Sequence, residues 1–417
     1  MLPQTVSEAQ LSLLQRLTDR RAETDQLFSI LAPNVLYSRP IPERHRVVFY
    51  VGHLEAFDWN LLRKHLGIDP FNPSYDRLFA FGIDPVDGNL PSDQPSDWPV
   101  MPDVEAYRNR VRDLLDSALA STTESNELTQ LLNITIEHRL MHAETLEYMF
   151  HQLPYDSKQS TPTATMMAAQ GVEPEMVEIP AGAAILGLPR KPDLFGWDNE
   201  FESHTVTVPG FQIDKYKVTN AQFQKFVDDN GYQRRELWSD ADWEWKTKAK
   251  ISHPVFWVHT AAGFRYRGMF CETHLSMHAP VYTSYAEACA YSRWAGKQLP
   301  TEAQWIRSAQ GAQPPGQARI LWDPPPVGLD KEFASDYGVE GLLGTGWEWT
   351  STPFAAFPGF RITPAYPGYS APFFDGRHFV MKGGSTRTAA SMLRISFRNW
   401  FQPHYQYVYA GFRCVTR

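Results

Sequence analysis

The sequence is poor in cysteine: Cys271, Cys289 and Cys414 are three in 417 residues, odd in number and without a CxxC spacing. This fits a reducing compartment better than a disulfide framework. Long apolar runs are also missing, and none approaches the roughly 18 residues that a membrane span requires. Residues 1–15 do not combine a basic start with an apolar core, so no signal peptide is expected. Together these absences predict a cytoplasmic protein without a membrane partner. Positive charge is never gathered into runs, and 39 Lys and Arg stand against 47 Asp and Glu for a formal net charge of -8. Nucleic acid is therefore set aside as a partner. With 43% hydrophobic and 21% charged residues, the composition excludes fibrous and disordered classes and leaves a globular chain long enough for two domains.

The first third has helical periodicity. Helices are predicted from Val6 to Leu31, from about Arg44 to Leu66 with Pro42 before it and Gly67 after it, from Val104 to Ala120, and from Leu128 to Leu153 with Ser125 or Asn126 as cap. A proline-punctuated stretch, Asp69 to Pro102, interrupts them; its Tyr75, Phe79, Phe81 and Trp98 favour an ordered, packed loop.

In the fourth helix one stripe reads Leu128, Leu131, Thr135, His138, His142, Thr145, Met149, so a bundle-facing seam turns polar in its middle. Residues four apart leave one helix face, and polar groups at a seam are costly without partners. In the second helix a single imidazole, His53, interrupts the stripe Phe49, Ala56, Phe57, Asn60. Three histidines facing one interior make a facial nitrogen set with open positions, suited to zinc, iron or copper. Glu144, about 200° round the helix from His142, is better placed for a supporting role than for ligation. His45, His65 and His151 have no partner at ligand spacing.

Helical periodicity largely stops at Pro154–Pro174, a Ser/Thr/Pro-rich break read as a linker between domains 1–153 and 175–417. Beyond it come short alternating strands, aromatic turns, and two predicted helices, Thr219–Asp229 and Ser284–Gly296. The segments VTNAQFQKFV, AEACAYSRWAGKQLPTEAQWIRSA, GWEWTSTPF, FVMKGGS and YAGFRCV occur in the order found in the formylglycine-generating-enzyme-like domain, which they resemble. That resemblance implies an irregular α+β fold related to C-type lectins. The stretch Thr386–Arg394 carries no cysteine where the generating enzyme holds copper, so formylglycine chemistry is not expected.

A histidine-bearing DinB-like four-helix bundle followed by this domain, an α plus α+β architecture, resembles the nonheme-iron sulfoxide synthases of ergothioneine and ovothiol biosynthesis, a family taken here to include selenoneine synthases. The resemblance implies Fe(II) held by His53, His138 and His142. It also implies O2, a hercynine-like imidazole substrate, and a thiol or selenosugar donor joined to the imidazole carbon through sulfur or selenium. Arg394, Arg398, Asn399, Trp400 and Phe401 match the family's substrate-binding segment, with guanidinium groups for a carboxylate and aromatic faces for a trimethylammonium. Where bacterial relatives read EYNGKF, this chain reads Phe373–Phe379 without tyrosine, and Tyr369, Tyr405, Tyr407 and Tyr409 are the alternative catalytic candidates. With six residues after Gly411, no C-terminal methyltransferase domain is expected. The acidic loop, with Asp76, Asp84, Asp87, Asp93 and Asp97 against Arg77, suits a sugar or simple thiol better than a polycarboxylate donor. Two rival classes remain: a non-redox, metal-dependent thiol transferase, and a metal-binding scaffold.

Overall fold

Ser, Asn and Thr side chains open most of the helices, as their positions before apolar periodic runs require. The computed structural model describes residues 12–80, 90–123, 125–159, 171–191, 194–315 and 321–417, divided into two compact units, Met1–Pro162 and Thr163–Arg417. Val6 and Leu11 of the first expected helix, Phe81, Asp84, Pro85 and Asp87 of the loop, and much of the expected linker lie outside the described residues.

In the first unit Ser12 accepts from the Gln15 amide and starts α1, Leu13–Ser29. Helix α2, Val47–Leu62, is shorter than its pattern suggested because the chain leaves it through turns before Gly67, whose φ of 67° suits a residue without Cβ. The loop that follows is ordered in part by α3, Pro73–Leu78, which periodicity did not reveal; Asn72 caps it and Pro73 opens it. Helix α4 is Met101–Ser121, and α5, Asn126–His151, is capped by Ser125, which accepts from the Leu128 amide at 3.1 Å. α1 packs on α5, and α2 packs on both α4 and α5. α2 is apolar nearly all round and correspondingly buried, which makes it the central helix. Tyr155–Gln159, expected within the linker, folds back on this unit: Lys158 donates to the Phe150 carbonyl at 3.0 Å and bridges Leu31.

The second unit is built on short strands. β1 (Met176–Ile179) pairs with β4 (Phe211–Asp214), which also pairs with β12 (Val415–Thr416). β2 (Gly182–Leu186) and β3 (His204–Val208) form a hairpin, and β5 (Trp257–Thr260), β6 (Gly263–Arg267) and β7 (Glu272–His274) form an antiparallel meander. The four-stranded sheet runs β10 (Asn399–Phe401), β9 (Phe379–Lys382), β8 (Trp347–Pro353), β11 (Ala410–Gly411), with only β8 and β11 parallel. The expected helices appear as α6, Asn220–Asp228, and α8, Tyr285–Trp294, each opened by a reciprocal capping box. Two further helices were missed, α7 (Asp240–Lys248) and α9 (Glu302–Ser308). Trp305 and Ile306 of α9 enter a core shared with Ile179, Ile213, Val339, Leu342 and Val415. Among the described residues no helix is long and apolar enough to cross a membrane.

Candidate metal centre and the aromatic segment

Gly52 is the local reason that the first ligand is held where it is. A Cβ there would lie 2.5 Å from the Phe79 ring, so only glycine lets the end of α3 lie against α2. Phe79 is fully buried in that contact, and its carbonyl accepts a hydrogen bond from His53 Nδ1 at 2.6 Å. A carbonyl can only accept, so Nδ1 carries the proton and Nε2 keeps its lone pair. Neither Gly52 nor Phe79 was read from the sequence as part of the site.

The i, i+4 spacing on α5 does the rest. His53, His138 and His142 are all buried, and one nitrogen from each lies within 4.8 Å of the others. Among the described residues this cluster contains no carboxylate, and Glu144, though buried, is outside it. Aromatic rings hold the imidazoles in place. Phe57 stacks on His138 at 3.4 Å between centroids, Phe49 stacks on His53 at 4.8 Å, and the Tyr50 ring lies 5.8 Å from His142. His53 Nε2 and His142 Nδ1 are buried and meet no hydrogen-bond partner among the described residues.

The electrostatics keep the trio neutral. Burial, reinforced by His45 and Arg139, pushes His53 down to about 4 from the usual 6.5, although the bond to Phe79 works the other way. Burial first, and then neighbouring positive charge, hold His138 and His142 well below the usual histidine range. Three neutral imidazoles that bring one nitrogen each within 4.8 Å of the others fit a divalent metal, and three nitrogen ligands are the protein share typical of a catalytic ion.

The structure places the expected substrate segment in the second unit and divides its members. Arg398, expected to meet a substrate carboxylate, is instead used by the fold. It is buried and donates from Nε and Nη2 to Glu302 at 2.9 and 3.1 Å, and from Nη1 to the Asn199 and Ala355 carbonyls. Arg394 is likewise bidentate to Glu200, at 2.9 and 2.6 Å. Spacing could not reveal these carboxylates, which lie 96 and 194 residues away. Asn399 and Trp400 lie half-buried on β10, with Trp400 stacked on Phe354 at 4.2 Å and flanked by Tyr369 and Phe373 at 5.3 and 5.5 Å.

Of the tyrosine candidates, Tyr369 joins this cluster and also stacks on Trp197 at 3.9 Å. Phe401, Tyr405 and Tyr407 form a second aromatic group, with centroids 4.8 and 5.4 Å apart. Tyr409 is buried and packed against Tyr282 and Phe256.

The loop acids also have structural work. Asp76 accepts from Trp59 and Tyr107, Asp93 from Arg46 and Trp98, and Asp97 from the Gln94 amide.

Comparison with known proteins follows the same division. The sulfatase-modifying factor enzyme 1-like domain matches residues 162–322 and 322–417, and the DinB superfamily matches residues 16–146. The chain is 34% identical over 308 residues to a hercynine oxygenase of Mycolicibacterium thermoresistibile, covering 68% of each protein. It is 33% identical over 366 residues to the hercynine oxygenase of Mycolicibacterium smegmatis, covering 82% of this chain and 83% of that one. Ergothioneine biosynthesis protein 1 of Neurospora crassa is 25% identical over 493 residues, with 93% of this chain matched to 55% of that protein.

Proposed function

The chain belongs to the ergothioneine sulfoxide synthase family, and we propose that it is a nonheme Fe(II)- and O2-dependent enzyme that forms a carbon–sulfur or carbon–selenium bond on the imidazole of hercynine or a related histidine derivative. The observation that carries this reading is the convergence of three buried, neutral imidazoles on one point within 4.8 Å. His53, His138 and His142 would hold the iron, which when bound would supply the redox chemistry for O2. The protein's own groups prepare that site. Burial keeps the ligands unprotonated, the Phe79 carbonyl fixes the His53 tautomer, and Phe57 holds the His138 ring plane. In the second unit, Trp400 with Tyr369 and Phe373 offers the π faces that a trimethylammonium group binds, and the amide of Asn399 supplies a neutral polar contact.

The test is anaerobic reconstitution of chelator-treated protein with Fe(II), followed by O2 uptake with hercynine plus either a thiol or a selenosugar. Turnover with one donor supports the reading and identifies the chalcogen. Turnover with zinc and no O2 would instead make the protein a transferase. Tight metal binding without turnover of any donor would leave only the scaffold. His53→Ala and His138→Ala are each expected to abolish iron-dependent turnover, and full activity in His53→Ala would show that the third ligand is misassigned.

A further inference from the structure

The residues next to the metal ligands form a second buried system that ligation does not use. Glu55 and Asp58, on α2 within five residues of His53, and Arg139, which follows His138 on α5, are each no more than 1% exposed. Arg139 donates to Asp58 at 2.5 Å, to Glu55 at 3.2 Å, and to the Leu54 carbonyl at 3.1 Å. Glu55 also accepts from Arg112 of α4 at 2.7 Å, and Arg112 is bidentate to Asp25 of α1. The guanidinium next to one ligand is thus bonded to the backbone next to another, and the ion pairs beyond it reach all four long helices.

Such a cluster is a poor way to gain stability. Glu55 Oε2, Asp58 Oδ1 and Arg139 Nε meet no hydrogen-bond partner among the described residues. Removing charges from water is costly, and well-packed apolar replacements of buried ion pairs are often neutral or stabilising. What a directional cluster specifies better than apolar packing is register. A slip of one residue turns a helix face by about 100°, enough to take a histidine out of the trio, and it would also separate Arg139 from Asp58 and the Leu54 carbonyl.

We propose that Arg139, Glu55 and Asp58 are positioning residues that set the register of α2 against α5 and thereby bring His53, His138 and His142 together on the metal. The proposal rests on the metal reading given above.

The experiment compares the full chain with Glu55→Gln and with the apolar triple variant Glu55→Met, Asp58→Leu, Arg139→Met. It reads Co(II) affinity by chelator competition, the visible spectrum of bound Co(II), and the helical circular dichroism of the metal-free proteins. Both variants are expected to keep the helical signal while losing about ten- to hundredfold in Co(II) affinity, the range for groups that orient ligands, with an altered spectrum. A folded variant with affinity within about twofold of the parent and an unchanged spectrum overturns the proposal. Loss of fold in both variants also overturns it, because the cluster would then be a stability element. Failure of the unsubstituted chain to bind Co(II) would be a failure of the metal reading instead.

Discussion

Acid should unfold the metal-free bundle earlier than its carboxylates account for. The perturbation is a fall in pH on chelator-treated protein. His53 has a native pKa of about 4 against 6.5 in the unfolded chain, so between those values the unfolded state takes up a proton that the folded state refuses. Stability is therefore fully present above pH 6.5 and is lost as the pH falls toward 4. For His53 alone that loss is about 3 kcal/mol, since a tenfold difference in proton affinity between the two states is worth about 1.4 kcal/mol. His138 and His142 are lowered in the same sense and by the same main cause. While all three stay neutral in the folded state, the slope from the trio approaches about 4 kcal/mol per pH unit. That is a large fraction of an ordinary domain's stability of about 5–15 kcal/mol. Glu55, where burial raises the pKa but Arg139 and Arg112 hold it down to about 2, begins to lose its own contribution only near its unfolded value of 4.5, at the bottom of this window, and the histidine-free variant keeps that contribution. The assay is urea unfolding followed by helical circular dichroism at several pH values from about 7 to about 4.5. It should be run on the parent chain and on a variant in which all three histidines are replaced by asparagine. Equal pH slopes in the two proteins would refute the reasoning, because the trio could then not be the source of the acid sensitivity.

Three other perturbations separate packing, charge and substrate contacts. Gly52→Ala should destabilise the first unit by about 1–3 kcal/mol, because its Cβ would meet the Phe79 ring at 2.5 Å; denaturant unfolding measures this, and unchanged stability and metal affinity would remove Gly52 from the account. Glu302→Leu should cost about 3–5 kcal/mol by leaving Arg398, with Lys382 at 3.6 Å, as uncompensated buried charge. If it does not alter unfolding, the scaffold role given to Arg398 fails. Trp400→Leu should raise KM for hercynine about tenfold with a smaller change in kcat, since a desolvated cation–π contact is worth roughly 1–2 kcal/mol. An unchanged KM would move the ammonium elsewhere.

What could be read in advance depended on how far apart the interacting groups are in the chain. His138 and His142 were legible because one helical turn fixes their relation, and His53 because it breaks an apolar stripe. The Phe79 carbonyl that orients His53 comes from 26 residues away through a short helix that no periodicity marks. α7 and α9, of 9 and 7 residues, are too short for a periodic window, although Thr301 and Gln304 carry a capping box that could have revealed α9. The partners of Arg394 and Arg398 were hidden for a related reason. An arginine beside aromatic residues looks available to a ligand until the carboxylates that use it, Glu200 and Glu302, are brought in by tertiary structure.

Both units pair deeply buried charges within the fold, and the first holds the imidazole trio in addition. In the second unit the buried charges are closed within the fold. Arg398 is matched by Glu302, Arg394 by Glu200, and Arg413 and Lys217 by Glu348, so this part is a frame whose half-buried Trp400 remains an apolar, electron-rich face. In the first unit His53 and His142 each keep a ring nitrogen at the centre of a bundle with no hydrogen-bond partner among the described residues. Unsatisfied nitrogen in an interior is costly to folding unless something binds there. The trio lacks the carboxylate expected of a hard oxygen-rich site, and its neutrality suits a borderline divalent metal.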